Sequence, residues 1–186
     1  MQSSLPKNGR LLFLSYKSLE RNRKMEIRKS TMQDLDAMLT IYEAARRYMA
    51  DHGNPTQWGT DYPKKDMLAG DIHRGESYVI LDGERIVGTF AFIIGPDPTY
   101  QIIEGGAWHY SAPYGTIHRL ASDGSAKGIA KACFDYCAEQ IDHLRVDTHR
   151  NNLTMQAVIE KSGFQRCGII YQPDGTDRIA YDRYKR

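Results

Sequence analysis

One segment of this 186-residue chain gathers residues able to do chemistry: His118-Arg-Leu-Ala-Ser-Asp-Gly-Ser-Ala-Lys-Gly-Ile-Ala-Lys131. A β-rich run delivers its end to a loop of glycine and small residues, and helical periodicity resumes at Ile129. The first amides of a helix have no intrahelical acceptor, and the helix dipole adds partial positive charge there. Small side chains at Ser125, Ala126, Gly128 and Ala130 let an anion approach those amides, while Lys127 and Lys131 add formal charge. The chemistry expected is therefore a diphosphate cradle. It is not a Walker loop, because no Gly-Lys-Ser/Thr follows, and the G-x-G-x-x-G dinucleotide pattern is missing too. A nucleotide switch, which needs a metal-binding hydroxyl after the lysine, is disfavoured for the same reason.

His118 lies on the strand that would line a cleft beside this loop. Imidazole is the natural proton shuttle near neutral pH, so His118 is a candidate base or acid, against the plainer alternative of a structural strand histidine. Tyr171 and Tyr110 are further candidate acids, and Glu104 could attract an amine or order a water, although a solvated loop carboxylate is the simpler reading. Gln57, Trp58, Tyr62 and Trp108 fall in loops, where aromatic groups wall a binding pocket or cap the core. No serine or cysteine is visibly paired with a base, which argues against a covalent acyl-enzyme.

The positioning elements follow from periodicity. Met25-Glu-Ile-Arg28 reads as a strand; Thr31-x-x-Asp34 has capping-box spacing ahead of a helix carrying Leu35, Met38, Leu39, Tyr42, Ala45 and Met49. A second helix runs from Tyr62-Pro63 to about Arg74. Two β-rich runs, 78–81 and 85–94, flank Asp82-Gly83, a hairpin signal. After a long aromatic connection come a strand (115–121), the loop and a helix with Ile129, Cys133, Tyr136 and Cys137 on one face, a strand (144–148), a helix capped by Asn151 or Asn152, and two strands around Asp174-Gly175. The order β-α-α-β-β-β-α-β-α-β-β implies one parallel crossover amid antiparallel pairs: a mixed-sheet α/β or α+β fold, one sheet with helices on both faces.

Composition narrows the classes. Hydrophobic content of 41% with 26% charge is that of a globular chain, and the longest apolar run, Phe90 to Ile94, is far short of the ~20 residues that span a bilayer. Net charge is +2, but residues 1–24 hold six Lys/Arg against Glu20 alone, so the leader's +5 leaves the body at −3. A body of that charge offers no basic face to nucleic acid, and neither a nucleic-acid nor a membrane partner is expected. The leader reads as a disordered extension (1–24) before one domain (25–186), rather than a secretory signal. Three cysteines cannot complete a disulfide framework; Cys133 and Cys137 read as packing residues, no metal is expected, and a reducing cytoplasmic setting fits.

With these residues in place, the chain from about Met25 to Tyr184 resembles a GNAT-type, acetyl-CoA-dependent N-acetyltransferase. The resemblance rests on Met25-Glu-Ile-Arg-Lys-Ser-Thr-x-x-Asp-Leu, on Ile117-His-Arg-Leu-Ala121 followed by Lys127-Gly-Ile-Ala130, and on Leu144-Arg-Val-Asp-Thr-His149 with Asn152-x-x-Met155 and Lys161-Ser-Gly-Phe164. It implies a seven-stranded, mostly antiparallel mixed sheet with helices on both faces and a splayed central parallel pair. It implies acetyl-CoA as co-substrate, a small-molecule or peptide amine as acceptor, and is compatible with a homodimer. Backbone groups of Leu120, Ala121 and Ser122 would pair with the pantetheine arm; amides from Ser125 through Ala130, Ile129 included, would wrap the pyrophosphate, with Lys131 close by. Asn152 would hydrogen-bond the cofactor arm, and an N–H near Leu120 would polarise the thioester. Two departures stand out: Ser125 replaces the family's usual Gln or Arg, and Ile159 occupies the position where many members carry an acidic tyrosine. The latter leaves a non-catalytic CoA-binding sensor as the alternative.

Overall fold

A computed structural model describes residues 25–185; the leader expected to be disordered lies outside the described residues. Seven strands form one sheet: β1 (Glu26–Lys29), β2 (Ser77–Asp82), β3 (Arg85–Ile94), β4 (Gly115–Ser122), β5 (His143–Thr148), β6 (Gln165–Tyr171) and β7 (Asp177–Tyr184). Their order across the sheet is β1-β2-β3-β4-β5-β7-β6. Four helices accompany them: α1 (Leu35–Asp51), α2 (Lys65–His73), α3 (Ile129–Gln140) and α4 (Leu153–Lys161). The element order is the one the periodicity predicts. The second helix starts at Lys65, later than the Tyr62-Pro63 signal indicates.

Each helix is placed by the face it must bury. Leu35, Met38, Ile41 and Tyr42 of α1 and Leu68 of α2 pack on Val79 and Leu81, and the Thr31 amide donates to Asp34 Oδ2 at 2.7 Å to fix the entry into α1. On the opposite face Ile129, Cys133, Phe134 and Cys137 of α3 join Ile159 of α4 against Phe90, Ile117, Leu144 and Val146. Each such side chain contributes about 1.5–3 kcal/mol when removed from water, which is why the alternating strands hold their register. The packing role expected of Cys133 and Cys137 is the one observed, since both are fully buried.

The functional feature is a gap. β4 and β5 are the parallel pair, and their register runs only through Gly115–Leu144, Thr116–Arg145 and Ile117–Val146. Beyond Ile117 the two strands separate, so residues 118–122 keep β3 on one side and present an unpaired edge on the other. Sheet edges of this kind accept an extended ligand as an added strand.

Candidate active site

The gap opens into a cleft of about 980 Å³. Its floor is β4 from Ile117 to Ser122; Val146 to Thr148 of β5, Ile129 and Ala130 of α3, and Met155 of α4 complete the walls.

At one end lies the predicted cradle. Gly128 precedes α3 at φ 84°, in the left-handed region where a side chain is disfavoured, and it turns the chain so that the following amides face outward. Among the described residues the amides of Ala126, Lys127, Gly128, Ile129, Ala130 and Lys131 have no acceptor; the Ala132 amide is the first to make the helical bond, 2.9 Å to Gly128 O. One correction follows for Ser125, whose amide donates to Asp123 Oδ1 at 2.9 Å and belongs to the loop's own turn. The available run is thus 126–131, one residue later than the resemblance implies. Ser125 is also met by the guanidinium of Arg85, which donates to Asp123 Oδ2 at 3.3 Å as well. A basic side chain from β3 therefore stands where the family's loop would supply Gln or Arg. Lys131 pairs with Asp135 along the exposed face of α3, and Lys127 is exposed.

Midway along the cleft β4 carries a bulge. Thr89 faces Ala121 and Ala91 faces His118, so β4 holds one extra residue and neither Arg119 nor Leu120 has a register partner on β3. Arg119 is the single non-glycine residue with positive φ (53°) among the described residues. Its strain of about 1–3 kcal/mol is offset by three contacts. The Tyr42 hydroxyl donates to Arg119 O at 3.0 Å, burial holding that phenol well above its usual range and so protonated. The Arg119 guanidinium donates to Asp71 Oδ2 at 2.6 Å, and Arg74 holds the other oxygen of Asp71 at 2.5 Å. Bulge amides released from a ladder in this way suit a developing oxyanion.

His118 is the first residue after the parallel pairing ends. Its Nε2 lies 2.8 Å from Asp97 Oδ2, and its ring packs edge-on against Tyr100 at 5.9 Å. Burial opposes ionisation of Asp97, but the His118 hydrogen bond and charge, with bonds from Thr99, outweigh it and hold the carboxyl below its usual range. An ionised carboxylate can only accept, so Nε2 carries the hydrogen and Nδ1 is left as the basic nitrogen. Beside this pair, the Tyr100 hydroxyl donates to Asp147 Oδ2 at 2.6 Å, and Asp97, His118 and Asp147 all line the cleft. No local sequence pattern marks Asp97, Tyr100, Asp147 or Asp71 as part of a site. Asp97 sits between two prolines in a strand-breaking signal, and Asp147 falls on an alternating strand whose polar positions read as solvent-facing.

Other expected residues are distributed unevenly. Gln57, Trp58 and Tyr62 line the cleft, Trp58 also packing edge-on against Tyr42 at 5.6 Å. Asn152 lines it too, but its side chain is committed: Oδ1 accepts from the Met155 amide at 3.1 Å as the α4 cap, and Nδ2 donates to Gln57 Oε1 at 2.9 Å. Asn152 therefore serves α4 and Gln57 here, rather than facing the gap unpaired. Trp108 is elsewhere. It stacks on Tyr100 at 5.5 Å with Arg145 over its other face at 3.8 Å, so it is a core cap and not a cleft wall. Tyr171 donates to Glu104 at 2.9 Å and Tyr110 packs on His143 and Tyr184; neither lines the cleft, so neither is placed to protonate a leaving group there. Ile159 is fully buried in the core.

No family model and no curated relative matches the chain. Among solved structures, it is similar to a GNAT-family acetyltransferase from Streptococcus agalactiae at 30% identity, with a TM-score of 0.80 over 87% of this chain and 96% of that one. A GNAT-family acetyltransferase from Listeria monocytogenes (17% identity, TM-score 0.63, 86% and 94% covered) and an acetyltransferase from Thermus thermophilus (16%, 0.60, 87% and 97%) share the fold. Sequence identity at the level of the streptococcal enzyme, sustained over almost all of both chains, goes beyond a shared architecture: the chain belongs to the GNAT family of acetyltransferases.

Proposed function

We propose that this acetyltransferase moves an acetyl group directly from acetyl-CoA to a primary amine. The observation that carries the reading is the His118–Asp97 pair, set where the parallel strands part and next to the bulge amides. The six unpaired amides at 126–131 would hold the diphosphate, and the open edge of residues 120–122 would pair with the pantetheine arm. In that arrangement the thioester carbonyl would lie by the Arg119–Leu120 bulge. Asp71, Asp97, Asp123, Asp147 and Asp174 line the cleft against Arg74, Arg119 and Arg178, the last with its Nε 3.9 Å from Asp147 Oδ1, and the excess of carboxylates favours a cationic acceptor over a neutral or anionic one.

The bound ammonium gives a proton to His118 Nδ1, directly or through water. The free amine attacks the carbonyl carbon, and the oxyanion rests on bulge amides. The C–S bond then breaks; the amide nitrogen loses its remaining extra proton to solvent, and the thiolate takes one from the His118 imidazolium. A tyrosine at position 159 is thereby dispensable.

A thiol-release assay tests this. With acetyl-CoA and a panel of diamines, amino acids and N-terminal peptides, free CoA is expected to form only with an acceptor present, fastest with polycationic ones. Binding of acetyl-CoA without thiol release for any amine would sink the catalytic reading and leave the CoA-sensing alternative.

A further inference from the structure

A second cluster of reactive side chains lies at the other end of β5, apart from the cleft. His109 Nδ1 is 2.7 Å from Asp182 Oδ1 and 3.3 Å from Cys167 Sγ, and donor atoms of these three residues all lie within 4.8 Å of one another. From β5, His143 approaches the other carboxylate oxygen, its Nε2 3.7 Å from Asp182 Oδ2. His143 and Asp182 are fully buried, and His143 Nε2 has no hydrogen-bond partner. Its tautomer is set by the far nitrogen: Nδ1 lies 3.1 Å from Ala112 O, a group that only accepts, so the neutral ring keeps its hydrogen there. Nε2 faces Asp182 Oδ2, which already accepts from the His109 amide at 2.9 Å, and has no hydrogen-bond partner of its own in this dry site. A cation between the two, proton or metal ion, would satisfy both groups.

From this geometry we propose a divalent transition-metal site of the zinc class, with His109 Nδ1, Cys167 Sγ and the Asp182 carboxylate as its preformed donors; His143 Nε2, 3.7 Å from Asp182 Oδ2 but outside that group of three, would move in as the fourth. One nitrogen–sulfur–oxygen set of two imidazoles, a thiolate and a carboxylate is a four-coordinate zinc set. Tetrahedral zinc at ~2.0–2.3 Å from its ligands spaces them roughly 3.3–3.8 Å apart. The sulfur–imidazole and imidazole–carboxylate separations of 3.3 and 3.7 Å match this spacing. The short 2.7 Å contact is a hydrogen bond that opens when the ion replaces its proton. On binding, the Cys167 S–H bond gives its proton to buffer and a metal–sulfur bond forms; the His109 proton moves to its outer nitrogen through solvent.

The surroundings are built for such a site. Tyr110, Tyr114 and Tyr184 ring His143 at 5.6, 5.9 and 6.0 Å, supplying an apolar wall. The donors come from β5, β6, β7 and the 95–114 connection, which is held down on β6 by the Glu104–Ile169 bridge. Gly106 lies so close that a Cβ there would stand 1.9 Å from Cys167 O, so the approach needs a bare backbone. A cavity of about 280 Å³ bordered by Tyr110, Asp182 and Tyr184 lies next to the cluster. An ion here would pin the connection that carries Asp97 and Tyr100 to the sheet.

The test uses the untagged full chain, stripped with chelator, and titrated with zinc against a chromogenic competitor and with cobalt by absorption. One ion per chain, binding below micromolar concentration, and a thiolate-to-cobalt charge-transfer band are expected. Cys167→Ser should abolish that band, whereas Cys133→Ala should keep it. His109→Ala gives up the 2.7 Å bond to buried Asp182 and should melt below the metal-free parent, but with its side chain 38% exposed it leaves no core void and should still fold. Its zinc affinity should be lower by at least ~100-fold, since partners of ligands alone are worth ~10–100-fold. Wild type that binds neither ion at micromolar concentration, a cobalt complex without the sulfur band, or His109→Ala binding like wild type would each overturn the site, leaving a hydrogen-bonded His–Asp–Cys network.

Discussion

Replacing His118 by alanine is expected to lower kcat for acetyl transfer by ~10²–10⁴-fold, the range for losing a positioned proton-transfer group, while KM for acetyl-CoA changes little. The reason is the division of labour along β4. Residues 120–122 and the 126–131 amides would meet the cofactor through backbone, which this substitution leaves alone, whereas His118 offers the cleft a basic nitrogen oriented by Asp97 at 2.8 Å. Asp97→Asn should fall between the two enzymes, because an amide can accept the same hydrogen bond but cannot stabilise the imidazolium that forms after proton uptake. Steady-state kinetics with a fixed acceptor checks both. A His118→Ala enzyme that keeps wild-type kcat would remove the residue from the chemistry and move proton transfer to water.

Loss of Asp71 should be the most damaging single change to the scaffold. Its carboxylate is buried between two guanidiniums, Arg119 at 2.6 Å and Arg74 at 2.5 Å, and the Arg119 side chain is only 12% exposed. Asp71→Ala would leave that guanidinium buried without its partner. Removing one member of a buried pair costs about 3–5 kcal/mol; for a domain of this size that lowers Tm by roughly 10 °C. The same contact helps hold Arg119 in its left-handed conformation, so protein that remains folded at low temperature should also lose kcat. Urea denaturation and low-temperature kinetics measure the two parts separately. A loss under about 1 kcal/mol with kcat intact would mean that Tyr42 and the sheet alone maintain the bulge.

What could be read from sequence and what could not divides along the range of the interactions. The hairpin at Asp82-Gly83, the stripe Ile129–Cys133–Cys137 and the loop before α3 are local patterns, and each stands where its period or turn chemistry puts it. Asp97 lies 21 residues from His118 and Asp71 lies 48 from Arg119, so nothing local marks either pair. Trp108 reads equally well as a pocket wall or a core cap until Arg145 of β5, 3.8 Å from its ring, decides for the cap. The same holds for the cysteines. Cys133 and Cys137 share a helix face and draw attention by spacing, whereas Cys167 meets His109 only through the fold. Asn152 fills two roles its motif does not separate: its polar side chain can cap α4 or face the gap, and the distance to Gln57 decides.

If amides 126–131 grip the diphosphate of coenzyme A, calorimetry with two ligands will show it. Acetyl-CoA and acetyl-pantetheine carry the same thioester and arm, but only the first has the diphosphate and the 3′-phosphoadenosine beyond it. Charge-assisted hydrogen bonds are worth about 1.5–3 kcal/mol each, so losing two of the six available should weaken binding by at least ~100-fold. Acetyl-CoA is expected to bind tighter by that margin or more. Equal affinity for the two ligands, or no measurable binding of acetyl-CoA, would contradict that grip.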